Sequence, residues 1–252
     1  MAARSKAIAK HAQRQNRLRQ IIVIEHDEQA EPDNGLRHLA RRGISVRLVR
    51  PYLGEDLPML DDRVAGVIIK GGPQYVTDLK QFPYLRDEIS FADRTMKRQI
   101  PLLGICLGAQ MIAHHLGADV GFHPEGHVAF GYYPTVVTDA GADIIPDGLM
   151  ALSGNAQGFD CPKNAELLAT GPLFPNQAFR HGPSTIALQF HPEVTRAILD
   201  QWQRVLGGNV GKPGTHSFDE QDEAFRKHNH NLALWYGDFL DRFFSMDVSL
   251  VA

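Results

Sequence analysis

The chain is 252 residues long, 43% hydrophobic and 22% charged, with a formal charge of −3. That length buries a full core, and the slightly acidic balance carries no basic footprint of a nucleic-acid binder. No apolar run approaches the roughly 18 residues of a membrane span, and two cysteines, Cys106 and Cys161, form no disulfide framework and fit a reducing, cytoplasmic compartment.

Residues 1–24 contain no acid but carry Arg4, Lys6, Lys10, Arg14, Arg17 and Arg19. Such a start is compatible with a transit peptide. Yet Ser5 is its only serine and no apolar segment follows, so residues 1–20 read as a basic extension, a surface helix or frayed end. The rest, 21–252, reads as one domain with a C-terminal helix.

Ile21 to Ile24 is a β-branched run and predicts a buried strand. Leu36, Leu39 and Ala40 then sit at helical spacing before a stop at Gly43. Strands follow at 44–49 and 64–69, the latter running into Gly71-Gly72-Pro73. A helix is expected over about 84–98 and a strand from Ile100 to Ile105. Met111, Ile112 and Leu116 continue as a helix ending at Gly117. Later strands are expected at Val136-Val137, Leu167-Leu168 and Ile186 to Phe190. A helix from about 219 to 245 would present Leu232, Leu234, Trp235, Leu240, Phe243 and Phe244. Strands alternating with helices predict an α/β fold, a doubly wound and mostly parallel sheet with helices on both faces.

Gly104-Ile105-Cys106-Leu107-Gly108 has the G-x-nucleophile-x-G spacing of a strained strand-to-helix turn, with cysteine at its apex. The helix N-terminus behind that turn stabilises a thiolate, and the Leu107 N–H faces a developing oxyanion. A second donor could come from the glycine turn at 71–73. Gln189-Phe190-His191-Pro192-Glu193 ends another predicted strand. It offers His191 as base and acid, and Glu193 to hold its tautomer. Cys106, His191 and Glu193 together propose acyl transfer through a thioester.

Three other features read as decoys. Gly207 to Thr215 lacks the phosphate-loop spacing, since Leu206 stands five before Gly211 and proline follows Lys212; it reads as a surface loop. The chain has twelve histidines, but His114-His115, His123-Pro-Glu125-Gly-His127 and His228-Asn-His230 match no zinc spacing, so no metal and no cofactor is expected. Cys161 reads as a small packed residue.

Gly-Gly-Pro, Gly-Ile-Cys-Leu-Gly-Ala-Gln and Gln-Phe-His-Pro-Glu, in this order, resemble the class I glutamine amidotransferases, the triad glutaminase family. The resemblance runs from Ile21 to about Thr195. It implies a triad of Cys106, His191 and Glu193, with oxyanion donors at Gly72 and Leu107. It also implies that Gln110 contacts the glutamyl moiety and that main chain around Gln157, Gly158 and Phe159 meets its α-amino and α-carboxylate groups. Two stretches depart from related free-standing members. Glu-Ile-Gly-Trp is replaced by Ala129-Phe130-Gly131-Tyr132, and His-Trp-His-Gly-Asp by the segment beginning Ser153-Gly154-Asn155-Ala156. Small or neutral groups there fit either drift or a pocket opened for a larger leaving group.

The expected activity is hydrolysis of a γ-glutamyl amide, releasing glutamate and an amine. The alternatives are a glutaminase subunit feeding ammonia from glutamine to a separate synthetase, a non-catalytic regulatory protein on the same fold, and a related Cys-His peptidase. The implied partners are the small amide and, for the glutaminase, the synthetase.

Overall fold

The computed structural model describes residues 19–29 and 31–246. The expected basic extension therefore lies outside the described residues, except for Arg19 and for Gln20, which opens the first strand. That strand, β1 (Gln20–Ile24), buries all four of its Ile/Val side chains, as a parallel strand covered on both faces must. Asp33 caps α1 (Asn34–Arg41) by accepting the Leu36 N–H at 2.8 Å. There follow β2 (Ser45–Val49), β3 (Val64–Ile69), α2 (Tyr84–Lys97), β4 (Leu102–Ile105) and α3 (Leu107–His115).

The second half contributes β5 (Val120–Phe122), β6 (Ala129–Pro134), β7 (Val136–Val137), β8 (Met150–Asn155), β9 (Gln157–Phe159), β10 (Glu166–Thr170), β11 (Asn176–His181) and β12 (Thr185–Leu188). Two helices, α4 (Arg196–Leu206) and α5 (Phe218–Phe243), follow. The main sheet runs β2-β1-β3-β4-β12-β11-β10-β7. Its first five strands are parallel, and β11, β10 and β7 add an antiparallel wing. β5 pairs with β9 and β6 with β8 as separate antiparallel ribbons. One apolar cluster includes Phe190, Trp235 and Phe239; the other includes Leu85, Phe91 and Met111. The expected mostly parallel, helix-flanked sheet is therefore present.

Several boundaries moved. The strand expected from Ile100 starts at Leu102; Pro101 has no N–H for a ladder, although its carbonyl still accepts from Val67 at 2.8 Å. The strand expected to reach Phe190 stops at Leu188 because the chain bends to deliver His191. Leu234 was expected on the buried face of the last helix and is 56% exposed. Two residues beyond Leu232 is about 200° around a helix, so it points away from the stripe of Leu232, Trp235, Phe239 and Leu240. That helix begins with a capping box, Ser217 against Glu220, a signal legible in the Ser-x-x-Glu spacing.

Three neighbouring strands, β3, β4 and β12, end at one edge. Their carboxyl ends carry Gly71-Gly72, Cys106 and His191, so strand order alone brings the three motifs together. That edge is where open α/β sheets place ligands.

Candidate active site

Cys106 occupies the turn between β4 and α3 with φ 48° and ψ −103°. A non-glycine residue at positive φ is strained, and such strain persists only where packing over-determines it. The packing is visible in the flanking glycines. A Cβ on Gly108 would strike the carbonyl of Ile69, and one on Gly104 would meet the Ala109 nitrogen at 2.8 Å. Leu107 is the first residue of α3, so its N–H has no partner within the helix.

His191 lies beside Cys106. A Cβ built on Gly71 would stand 2.6 Å from His191 Cε1 and 3.3 Å from Cys106 Cβ, so glycine is required where the turn crosses them. Glu193 Oε1 lies 2.7 Å from His191 Nδ1, with both side chains buried. Burial opposes the imidazolium, but the Glu193 carboxylate and the Cys106 sulfur outweigh it and push the His191 pKa up to about 10. The geometry supports a protonated imidazole beside the Cys106 sulfur. Cys161 differs: burial pushes its thiol up, the wrong direction for a nucleophile.

Behind Glu193 lies a group of charges that the sequence reading did not foresee. Lys70, buried at the end of β3, pairs with Asp33 at 2.7 Å and Glu25 at 3.2 Å. Burial opposes its charge, but Asp33 and Glu25 hold its pKa above the ordinary lysine range, and Glu193 adds to the effect. The signal was a lysine closing the apolar run Val64–Ile69. His26 and Glu88 form a second buried pair, described below.

A cavity of about 590 Å³ opens over Cys106, within the range of small-molecule sites, roughly 300–1,000 Å³. Cys106, His191, Glu193, Gly72, Gln110 and Gln157 line it. Gln110 Nε2 donates to the Gln157 carbonyl at 2.8 Å and to Gln189 Oε1 at 3.2 Å. Gly158 and Phe159 do not line it. Gly158 pairs with Gly121 in the β5–β9 ribbon, and the Phe159 ring packs edge-on against Phe179. Leu107 is not part of the wall either; its side chain is buried and only its N–H is placed at the turn.

Sequence reasoning also missed the far wall. Trp202, Val205 and Leu206 fall at i, i+3 and i+4 on α4 and face the cavity. The Trp202 ring meets the His191 ring edge-on at 4.7 Å. A Cβ on Gly154 would approach Trp202 to 3.0 Å. The expected surface loop at 207–215 contributes Asn209 and Lys212 to the mouth, joined by a 2.7 Å hydrogen bond.

One histidine cluster closes up in the fold. His123, Glu125 and His127 bring ligand atoms within 4.8 Å of one another. The two rings stack at 4.4 Å with 11° between their planes, and His123 Nδ1 accepts the Glu125 N–H at 3.1 Å.

A parallel sheet with a cysteine elbow, a glycine turn and a His-x-Glu at adjacent strand ends defines a cysteine-dependent amide-processing fold. The family model for glutamine amidotransferase class-I matches residues 32–201, and the chain belongs to that family. It is an amide hydrolase of the glutamine amidotransferase type. It is 30% identical over 212 residues to the glutamine amidotransferase-like protein YfeJ of Salmonella typhimurium, covering 79% of this chain and 87% of that one. It is also 30% identical over 155 residues to the glutamine-hydrolyzing GMP synthase of Cytophaga hutchinsonii, covering 60% of this chain but only 28% of the synthase. In fold it is similar to a glutamine amidotransferase of Thermotoga maritima, with a TM-score of 0.79 at 24% identity over 90% of this chain and 98% of that one. No helix among the described residues is long and apolar enough to cross a membrane.

Proposed function

We propose that the chain hydrolyses N-substituted γ-glutamyl amides. The Cys106 thiolate attacks the γ-carbonyl, and the oxyanion lies between the N–H groups of Gly72 and Leu107. The C–N bond breaks as the His191 imidazolium gives its proton to the leaving nitrogen. Neutral His191 then takes a proton from water, the hydroxyl adds to the thioester, and C–S cleavage yields glutamate and restores the thiolate–imidazolium pair. Glu193 holds the imidazole throughout.

The observation that carries this reading over simple glutamine hydrolysis is the cavity beyond His191. The proton donor stands against Trp202, so a group on the leaving nitrogen meets the apolar face of α4. Along the cavity wall, Gln74, Asn155 and Gln157 each bury a side-chain oxygen without a hydrogen-bond partner. An α-ammonium group would satisfy such acceptors. The test is glutamate release from glutamine and from γ-glutamyl alkyl and aryl amides, with Cys106→Ala as control. Turnover of substituted amides above glutamine, lost in the mutant, supports the proposal; turnover of glutamine alone overturns it.

A second reading, ammonia supply to a separate synthetase, draws on the likeness to the GMP synthases, of which this chain spans 24–37%. It requires glutamine turnover that rises when such a partner is added.

A further inference from the structure

His26 and Glu88 are both fully buried, and His26 Nε2 lies 2.6 Å from Glu88 Oε2. The other ring nitrogen, Nδ1, lies 3.2 Å from the carbonyl oxygen of Gly71. A carbonyl only accepts, so Nδ1 must carry a proton. The short contact at Nε2 then needs a second proton between ring and carboxyl, because two lone pairs would repel. The pair therefore holds one proton more than a neutral imidazole beside a carboxylate, and its net charge is zero. In that form the charges of ring and carboxyl cancel at full burial, while Glu88 Oε1 stays buried without a partner.

We propose that this pair sets the oxyanion hole, with His26 as a positioning residue for the Gly72 N–H. The inference rests on the reaction proposed above. In a trans peptide the C=O and the following N–H point in opposite directions. Fixing the Gly71 carbonyl on His26 thus turns the Gly72 N–H away from His26, toward the side where Gly71 crosses Cys106 and His191. A glycine-rich turn has no side chains to resist a peptide flip, so the hydrogen bond does what side-chain packing does elsewhere. Gln74 adds a tie by donating to the His26 carbonyl at 3.1 Å. A Cβ on Gly72 would collide with His26 and Gln74, so the turn lies directly on the histidine. Glu88 reaches His26 from α2, which supplies no cavity residue.

Asn presents an N–H close to the position of Nδ1, whereas Leu fills the space with no donor. His26→Leu is expected to lower kcat by roughly 10²–10³-fold, the loss typical of one oxyanion donor, with KM changed less than about threefold. The affinity of glutamate γ-aldehyde, whose hemithioacetal oxygen occupies the hole, should fall in parallel. His26→Asn should retain kcat within about tenfold of wild type. Equal losses in the Asn and Leu variants, a change confined to KM, or undiminished aldehyde affinity overturns the proposal. In the wild-type protein, ¹⁵N-labelled histidine NMR should show a protonated Nδ1 at His26; an unprotonated Nδ1 also overturns it, whether or not the variants fold. A wild-type enzyme inert toward every amide defeats the proposed reaction alone, because the aldehyde titration and the NMR signature still decide this one.

Discussion

Lys70 Nζ lies 2.7 Å from Asp33 Oδ2, with both side chains buried. The ion pair joins the end of β3, just before the glycine turn, to the N-cap of α1. It also sets a cation among three buried carboxylates, Glu25, Asp33 and Glu193, two of them in direct contact with it.

Removing that cation leaves the carboxylates to repel one another in a dry environment. Lys70→Met should cost about 3–5 kcal/mol of stability, the penalty for orphaning a buried charge. Urea unfolding of the two proteins measures it. A loss below about 1 kcal/mol would mean the carboxylates take up protons at little cost.

His191 sets a pH dependence with a defined sign. Its folded pKa of about 10 lies above the ordinary 6.5. The stability carried by its proton is therefore complete below about pH 6.5 and disappears as pH rises through about 10. The advantage of wild type over His191→Gln in urea midpoint should shrink between pH 6 and pH 10. Amide turnover should fall as pH rises through about 10, as the imidazolium that protonates the leaving nitrogen is lost.

The elbow stores strain that a glycine would release. Cys106→Gly should be about 1 kcal/mol more stable than Cys106→Ala, because glycine adopts φ 48° without penalty. Both should be inactive. Gly108→Ala should cost about 1–3 kcal/mol or more, since its methyl group meets the rigid Ile69 carbonyl. Thermal or urea melts of the three variants decide these points.

Trp202 tests the direction of the leaving group. Trp202→Ala should lower the ratio of kcat/KM for a γ-glutamyl anilide over glutamine by about tenfold, the worth of a lost apolar contact of 1–3 kcal/mol. An unchanged ratio would place the amine elsewhere. Val205→Glu, at a position 73% exposed, should shift the ratio the same way without disturbing the core.

Much of the parallel half could be read in advance. The β-branched runs at 21–24 and 64–69 are buried on both faces, and continuous apolarity is the signature of such strands. The ribbon β5–β9 was not legible, because strands such as Gln157–Phe159 carry too few residues for a period to register. Leu234 shares the apolar run of the last helix but sits about 200° around it from Leu232, off the buried stripe.

By itself the sequence determined the elbow at Cys106, the His191–Glu193 step and the glycine turn at 71–73, since each is a local backbone requirement written in consecutive residues. Tertiary structure alone decided what surrounds them. Lys70 meets Asp33 across 37 positions, His26 meets Glu88 across 62, and Trp202 reaches His191 only because α4 folds back over the edge of the sheet. Such pairings depend on strand order and burial, which bring distant residues into a low-dielectric interior where a charge or a ring must find its partner.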